Sequence, residues 1–234
     1  MKGRQHGTDD DARLSTGCGA LDELLGGGFP RGAVSQVYGE PSAGKTNICM
    51  QTAVETVENG GGVAYIDTEG LSLDRLRQIG GDGIEERAHE FIIKDVYGFD
   101  EQAVAVRDVE DLAAETDLVV LDSATGLYRV ERDDGDEESA LRRLTRQVTQ
   151  LTGMARRYGM AVVLTNQIYT AVESTTDDVA PLGGRAMEHW TKIILRLERS
   201  AVSDRRKATV EKHPSKPAGV DAEFVITGSG VEDV

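Results

Sequence analysis

The chain is poor in aromatic residues, proline and cysteine, and it contains no long apolar run. Aromatic residues make up 5% of its 234 positions, with one tryptophan, Trp190, so the core must be built from aliphatic side chains. Cys18 and Cys49 fall in separate helical patterns without metal-ligand spacing. That argues against a disulfide framework or a zinc site and for reduced, buried thiols. No apolar stretch approaches the ~20 residues that cross a bilayer, and Met1–Gly7 lacks the apolar centre of a signal sequence. A cytoplasmic protein is the expectation. Lysine is also scarce, at seven residues against 19 arginines, 21 aspartates and 20 glutamates.

The resulting net charge of −15 is unlike that of a typical nucleic-acid-binding domain, whose affinity rests on neutralising phosphates. The acids are spread along the chain and do not form a tail. Acid-rich, lysine-poor composition resembles that of proteins from salt-accumulating halophilic archaea, so the charge weighs only lightly against nucleic-acid binding.

Residues 1–13 are polar, carry the run Asp9-Asp10-Asp11 and read as a flexible tail. A single core domain is expected over 14–234. Its first amphipathic segment, around 19–25, ends at Gly26-Gly27-Gly28. Strands are expected at 34–38, 62–67, 91–93, 118–122 and 161–165, with helices near 45–58, 73–79, 100–115 and 138–158. Apolar runs alternating with amphipathic helices predict an α/β fold: a central, mostly parallel sheet flanked by helices. After Trp190, the segments 192–198, 207–211 and 222–226 alternate like the strands of an antiparallel extension.

The densest chemical signal is Gly39-Glu40-Pro41-Ser42-Ala43-Gly44-Lys45-Thr46, with Asn47 following, between a strand pattern and a helix pattern. This is the G-x-x-x-x-G-K-[ST] phosphate loop. Its glycines let backbone N–H groups curl around phosphate oxygens, and the helix N-terminus adds partial positive charge. Lys45 is expected on the β- and γ-phosphates, and the Thr46 hydroxyl on Mg²⁺. Asp122 ends the run Leu118-Val119-Val120-Leu121, where an aspartate can hold Mg²⁺ opposite that threonine. Glu69, after Tyr65-Ile66-Asp67, is placed to polarise an attacking water. Asn166 and Gln167 close another strand, and either amide could meet a γ-phosphate or serve only a turn.

Taken in order, Ser15-Thr16-Gly17, Leu21-Asp22-Glu23-Leu24-Leu25, GEPSAGKT, YIDTEG (65–70), LVVLDSATGLYR (118–129) and VVLTNQ (162–167) resemble the RecA-family ATPases. Within these they resemble the archaeal and eukaryotic strand-exchange recombinases and their paralogues. The resemblance covers residues 14–234. It implies a RecA-like core that uses ATP and Mg²⁺, with Glu69 as catalytic glutamate and Gln167 as γ-phosphate sensor. It also implies that Arg75 stacks on adenine and that Pro214 and Pro217 cap ATP on a neighbouring subunit.

Full-length archaeal recombinases carry an N-terminal helix–hairpin–helix domain and a Phe-x-x-Ala polymerisation motif, which residues 1–13 do not supply. The core alone, with DTEGLSLDRL at 67–76, resembles the short archaeal RadB paralogues. That implies a recombination and repair accessory with weak ATPase activity, DNA binding and no strand exchange. Its partners would be single-stranded DNA, bound weakly, the main archaeal recombinase and further copies of its own chain. Two other readings are an independent strand-exchange filament and a signalling ATPase of the KaiC kind. Paired glutamates are usual in the latter where Thr68-Glu69-Gly70 stands here.

The expected DNA loops are acidic. The first, 129–138, sets Arg129 and Arg132 against six acids, and the second, Tyr169 to about Met187, has Arg185 as its only cation. Lys212 stands where the recombinases place an acidic residue beside a bound monovalent cation. Its ammonium either replaces that cation on a neighbouring subunit, where the chain self-assembles or docks on a recombinase, or is a surface lysine at a strand end.

Overall fold

Valine, isoleucine and leucine runs form the central strands here because both faces of those strands are covered. The computed structural model describes residues 13–135, 137–170, 179–200 and 203–234. In chain order its elements are β1 (Arg13–Leu14), α1 (Gly19–Leu25), β2 (Phe29–Pro30), β3 (Ala33–Gly39), α2 (Lys45–Glu58), β4 (Val63–Asp67), α3 (Leu73–Gly80), β5 (Phe91–Asp95), α4 (Phe99–Leu112) and β6 (Leu118–Asp122). Then come α5 (Gly126–Asp134), α6 (Glu137–Tyr158), β7 (Ala161–Thr170), β8 (Val179–Pro181), α7 (Gly184–Trp190), β9 (Ile193–Arg199), β10 (Arg205–Lys212), β11 (Asp221–Ile226) and β12 (Val231–Asp233).

The main sheet runs β12-β11-β10-β9-β3-β7-β6-β4-β5, with β8 on β7. Strands β9, β3, β7, β6, β4 and β5 are parallel, and β10 to β12 add an antiparallel extension. One core packs α1 and α2 against the sheet, and a second packs α4, α5, α6 and α7 against its other face. No described helix is long and apolar enough to cross a membrane.

Three expectations change. The first expected DNA loop is largely helical: α5 covers 126–134 and α6 starts at Glu137. Buried Tyr128, 6.2 Å from the Phe99 ring, turns a polar stretch into a packed helix. Within the second expected loop, β7 continues to Thr170, β8 pairs back on it, and the Gly183-Gly184 pair caps and begins α7. Residues 171–178, with Glu173, Asp177 and Asp178, lie outside the described residues, as do 1–12. Cys18 caps the start of α1 and is not within a helix. Its thiol donates to Asp233 Oδ1 at 3.1 Å, and burial raises its pKa to about 11. Cys18 and Cys49 are both free thiols.

Candidate nucleotide site

Parallel pairing brings the carboxyl ends of β3, β4, β6 and β7 to one edge. Gly39 pairs with Gln167, and Asp67 pairs with Asp122. Residues 40–44 then lead from β3 into α2. Gly44 precedes α2 with φ at 108°, a conformation that disfavours any side chain, and Ser42 also has positive φ at 63°. These turns place the first N–H groups of α2, which have no intrahelical acceptor, at the same edge.

The Lys45 ammonium donates to the carbonyls of Gly39 at 2.9 Å and Glu40 at 3.0 Å. Burial lowers its pKa, and the nearby Glu69 and Asp122 carboxylates oppose that shift. Glu40 itself turns away and accepts the Arg199 N–H at 3.1 Å. Asp122 is 2% exposed. Its carboxylate accepts the hydroxyls of Thr165 at 2.5 Å and Tyr65 at 2.8 Å, with Thr46 as a further donor. Burial raises the Asp122 pKa, and those three hydroxyls pull it back.

Glu69 sits on the loop after β4. The Gln167 amide donates to its Oε1 at 2.8 Å, so two residues 98 apart in sequence meet beside the loop. Asn166, the other amide considered, is fully buried. It accepts from Thr125 at 2.6 Å and donates to the Leu182 carbonyl at 2.7 Å. With both ends of its amide engaged it is a brace, and Gln167 alone reaches the site edge. Arg75 donates to Asn47 Oδ1 at 2.8 Å, Gly228 O at 2.8 Å and Thr227 O at 2.9 Å, tying α3 to the start of α2 and the β11–β12 turn.

Sequence reasoning missed the supports. Asp67, 4% exposed, accepts the N–H groups of Glu69 at 3.0 Å and Gly70 at 3.1 Å, and also that of Leu71. It thereby shapes the loop that presents Glu69. Thr68 accepts the Ser123 N–H at 2.8 Å and fixes this loop to the end of β6. The available signal was that Asp67 ends a strand as Asp122 does. Lys212 and Pro214 lie elsewhere, because β10 runs opposite to β9 and ends beside Ile194, at the far edge of the sheet. The Lys212 ammonium donates to the Glu188 carbonyl at 2.6 Å.

The donors suit a magnesium–triphosphate: a buried ammonium, helix N–H groups, and a carboxylate with a hydroxyl beside it. The Rad51 family model matches residues 9–234. The chain is 49% identical over 232 residues to the DNA repair and recombination protein RadB of Halobacterium salinarum, covering 96% of each. It is 44% identical over 221 residues to the protein of that name from Methanococcoides burtonii, covering 94% of this chain and 97% of the other. A crystal structure of the RadB recombinase superposes with a TM-score of 0.81 at 35% identity, covering 94% of this chain and 99% of that one. Fold, ordered motifs and these likenesses agree: the chain belongs to the Rad51/RecA family and, within it, to the RadB proteins.

Proposed function

We propose that residues 14–234 form an ATP-binding core serving DNA repair and homologous recombination as an accessory to the cell's main recombinase. In this reading it resides in the cytoplasm of a salt-accumulating archaeon. The observation that carries the nucleotide reading is the convergence of Lys45, Thr46, Glu69, Asp122 and Gln167 at one edge of the sheet. Lys45 leaves its loop carbonyls to hold the β- and γ-phosphates, while Arg75 and Asn47 border the base. The Thr46 hydroxyl and the Asp122 carboxylate would hold Mg²⁺. That ion, when bound, supplies charge neutralisation for the phosphates. Glu69 orients a water and accepts its proton, and Gln167 links the state of Glu69 to the chain beyond β7.

Weak turnover fits a Glu69 that is held by one amide on an exposed loop. The first expected loop adds little to DNA binding, because one of its two arginines, Arg132, is engaged locally and leaves only exposed Arg129. Arg132 pairs with Asp133 at 2.8 Å, and Glu131 is taken by Arg143. A role for Lys212 needs a neighbouring protein molecule, since it lies across the sheet from its own phosphate loop.

The test compares Lys45→Ala and Glu69→Gln with the parent in ATP binding, ATP turnover with and without single-stranded DNA, and co-purification with the main recombinase. Lys45→Ala should weaken ATP binding by about a hundredfold, as expected when hydrogen bonds from a charged donor are removed. Glu69→Gln should keep binding and stop turnover. Unchanged affinity in folded Lys45→Ala would refute the nucleotide reading, and ATP-independent failure to co-purify would refute the accessory role.

A further inference from the structure

Where β10 ends, three consecutive side chains each reach a different element. The Lys212 ammonium donates to the Glu188 carbonyl of α7 at 2.6 Å. His213 Nε2 meets the Leu25 carbonyl at the end of α1 at 3.0 Å. Glu211, the first of the three, accepts the hydroxyl of Tyr38 on β3. Its position comes from a break in the ladder. Val210 pairs with Leu195 and Lys212 with Ile194, so Glu211 is an extra residue, a β-bulge that can re-aim a side chain.

The other end of this link is held firmly. Tyr38 is buried and pairs with Arg196 of β9, so its side chain crosses that strand to reach β10. Burial raises the phenol pKa, the Glu211 carboxylate adds to the rise and Arg196 opposes it, so the hydroxyl keeps its proton and remains the donor. Tyr38 immediately precedes Gly39, whose carbonyl accepts the Lys45 ammonium at 2.9 Å. Gly39 in turn lies too close to Leu197 for any side chain. The residue before the phosphate loop is therefore hydrogen-bonded to the residue before Lys212.

We propose that Tyr38 is a positioning residue through which the phosphate loop sets the segment 211–219. The inference rests on the nucleotide reading given above. On nucleotide binding Lys45 leaves the Gly39 carbonyl, the end of β3 loses that tether, and the Tyr38 ring shifts. Glu211 follows the hydroxyl, because a part-buried carboxylate that loses its donor is costly. The bulge takes up the movement, since its extra residue stands outside the regular ladder. Lys212 and His213 then pivot on α7 and α1. The open cleft of about 500 Å³ that Glu211 and Lys212 line with Glu188, His189 and Ile194 changes shape as a result. A simple brace would add stability and carry no such response.

The test follows hydrogen–deuterium exchange of peptides covering 211–219 in the full chain at high KCl, with and without Mg-ATP. ATP affinity is measured alongside by calorimetry. In the parent, Mg-ATP should change exchange in this segment by about threefold or more. Tyr38→Phe should remove that change while binding ATP within about twofold of the parent. Glu211→Gln, which keeps an acceptor for the hydroxyl, should retain the change. An equal response in Tyr38→Phe would overturn the proposal, as would a parent that binds ATP with no change at 211–219. A parent that does not bind ATP would refute the nucleotide reading and this inference with it.

Discussion

Every residue of β4 and β6 is buried, whereas on β10 only Ala208 and Val210 are. Helices cover both faces of the central parallel strands, but one face of the sheet from the end of β9 through the antiparallel extension is left to solvent. That face carries the pairs Arg196–Glu198 at 2.7 Å and Lys207–Glu198 at 3.7 Å. The difference teaches where chemistry can be held. A strand clamped on both faces fixes Asp122 by packing and two strand-borne hydroxyls, so its carboxylate keeps one position. The extension contributes through its turns, as when residues 227 and 228 grip Arg75.

Four changes would sharpen or break that contrast. Gly39 ends β3 against β9, the last parallel strand before the extension, and a Cβ there would stand 2.3 Å from the Leu197 carbonyl oxygen. Gly39→Ala should cost about 3 kcal/mol in urea unfolding, and a much smaller loss would mean that the junction is slack. Asp67→Ala frees the N–H groups that shape the Glu69 loop. It should cost about 2 kcal/mol and lower ATP turnover about tenfold with ATP affinity retained. Equal losses in affinity and turnover would show that Asp67 supports the whole edge and not Glu69 alone.

The next test falls in the extension. His213 Nδ1 accepts the N–H groups of Ser215 at 3.2 Å and Lys216 at 3.1 Å, and its Nε2 meets the Leu25 carbonyl at 3.0 Å. Burial lowers the His213 pKa below 6.5; the Leu25 carbonyl opposes this, and Arg13, Lys216 and Lys192 add to it. The unfolded chain thus takes up the proton first. This contribution to stability is present above the unfolded value and is lost as pH falls toward the folded one. His213→Gln should flatten the decline in urea midpoint between about pH 7.5 and about pH 5.5. The shift should be smaller than that of Asp67→Ala. Smallest is Arg205→Ala, which breaks an exposed 2.7 Å pair with Glu223 and should change stability by about 0.5 kcal/mol or less.

The parallel half was legible because burial on both faces writes continuous aliphatic runs into the chain. Leu118–Asp122 matches its strand residue for residue, and α2 and α6 begin within a residue of their expected starts. The short pieces were not. Strand β12 has three residues and β1 and β2 have two each, too few for any periodicity to register. Helix α5 was hidden by its charge, since only Tyr128 among its polar neighbours announces a buried side. At the site, the residue types with direct chemistry were visible, while Asp67, Thr68 and Thr125 were not. Their partners are fixed by folding, and an aspartate or threonine near a strand end has many possible uses.

By itself the sequence determined the alternation of strands and helices, the phosphate loop, and the family to which its ordered motifs belong. Those properties are local: they depend on side-chain spacing and on residues adjacent in the chain. Only the tertiary structure engaged both ends of the Asn166 amide in the interior, placed Glu69 beside an amide 98 residues away, and put Lys212 across the sheet from Lys45. These outcomes depend on strand order and register, which no short window of sequence encodes. The physical reason is that parallel strands pair through crossovers, so groups distant in the chain become neighbours only once the sheet is assembled.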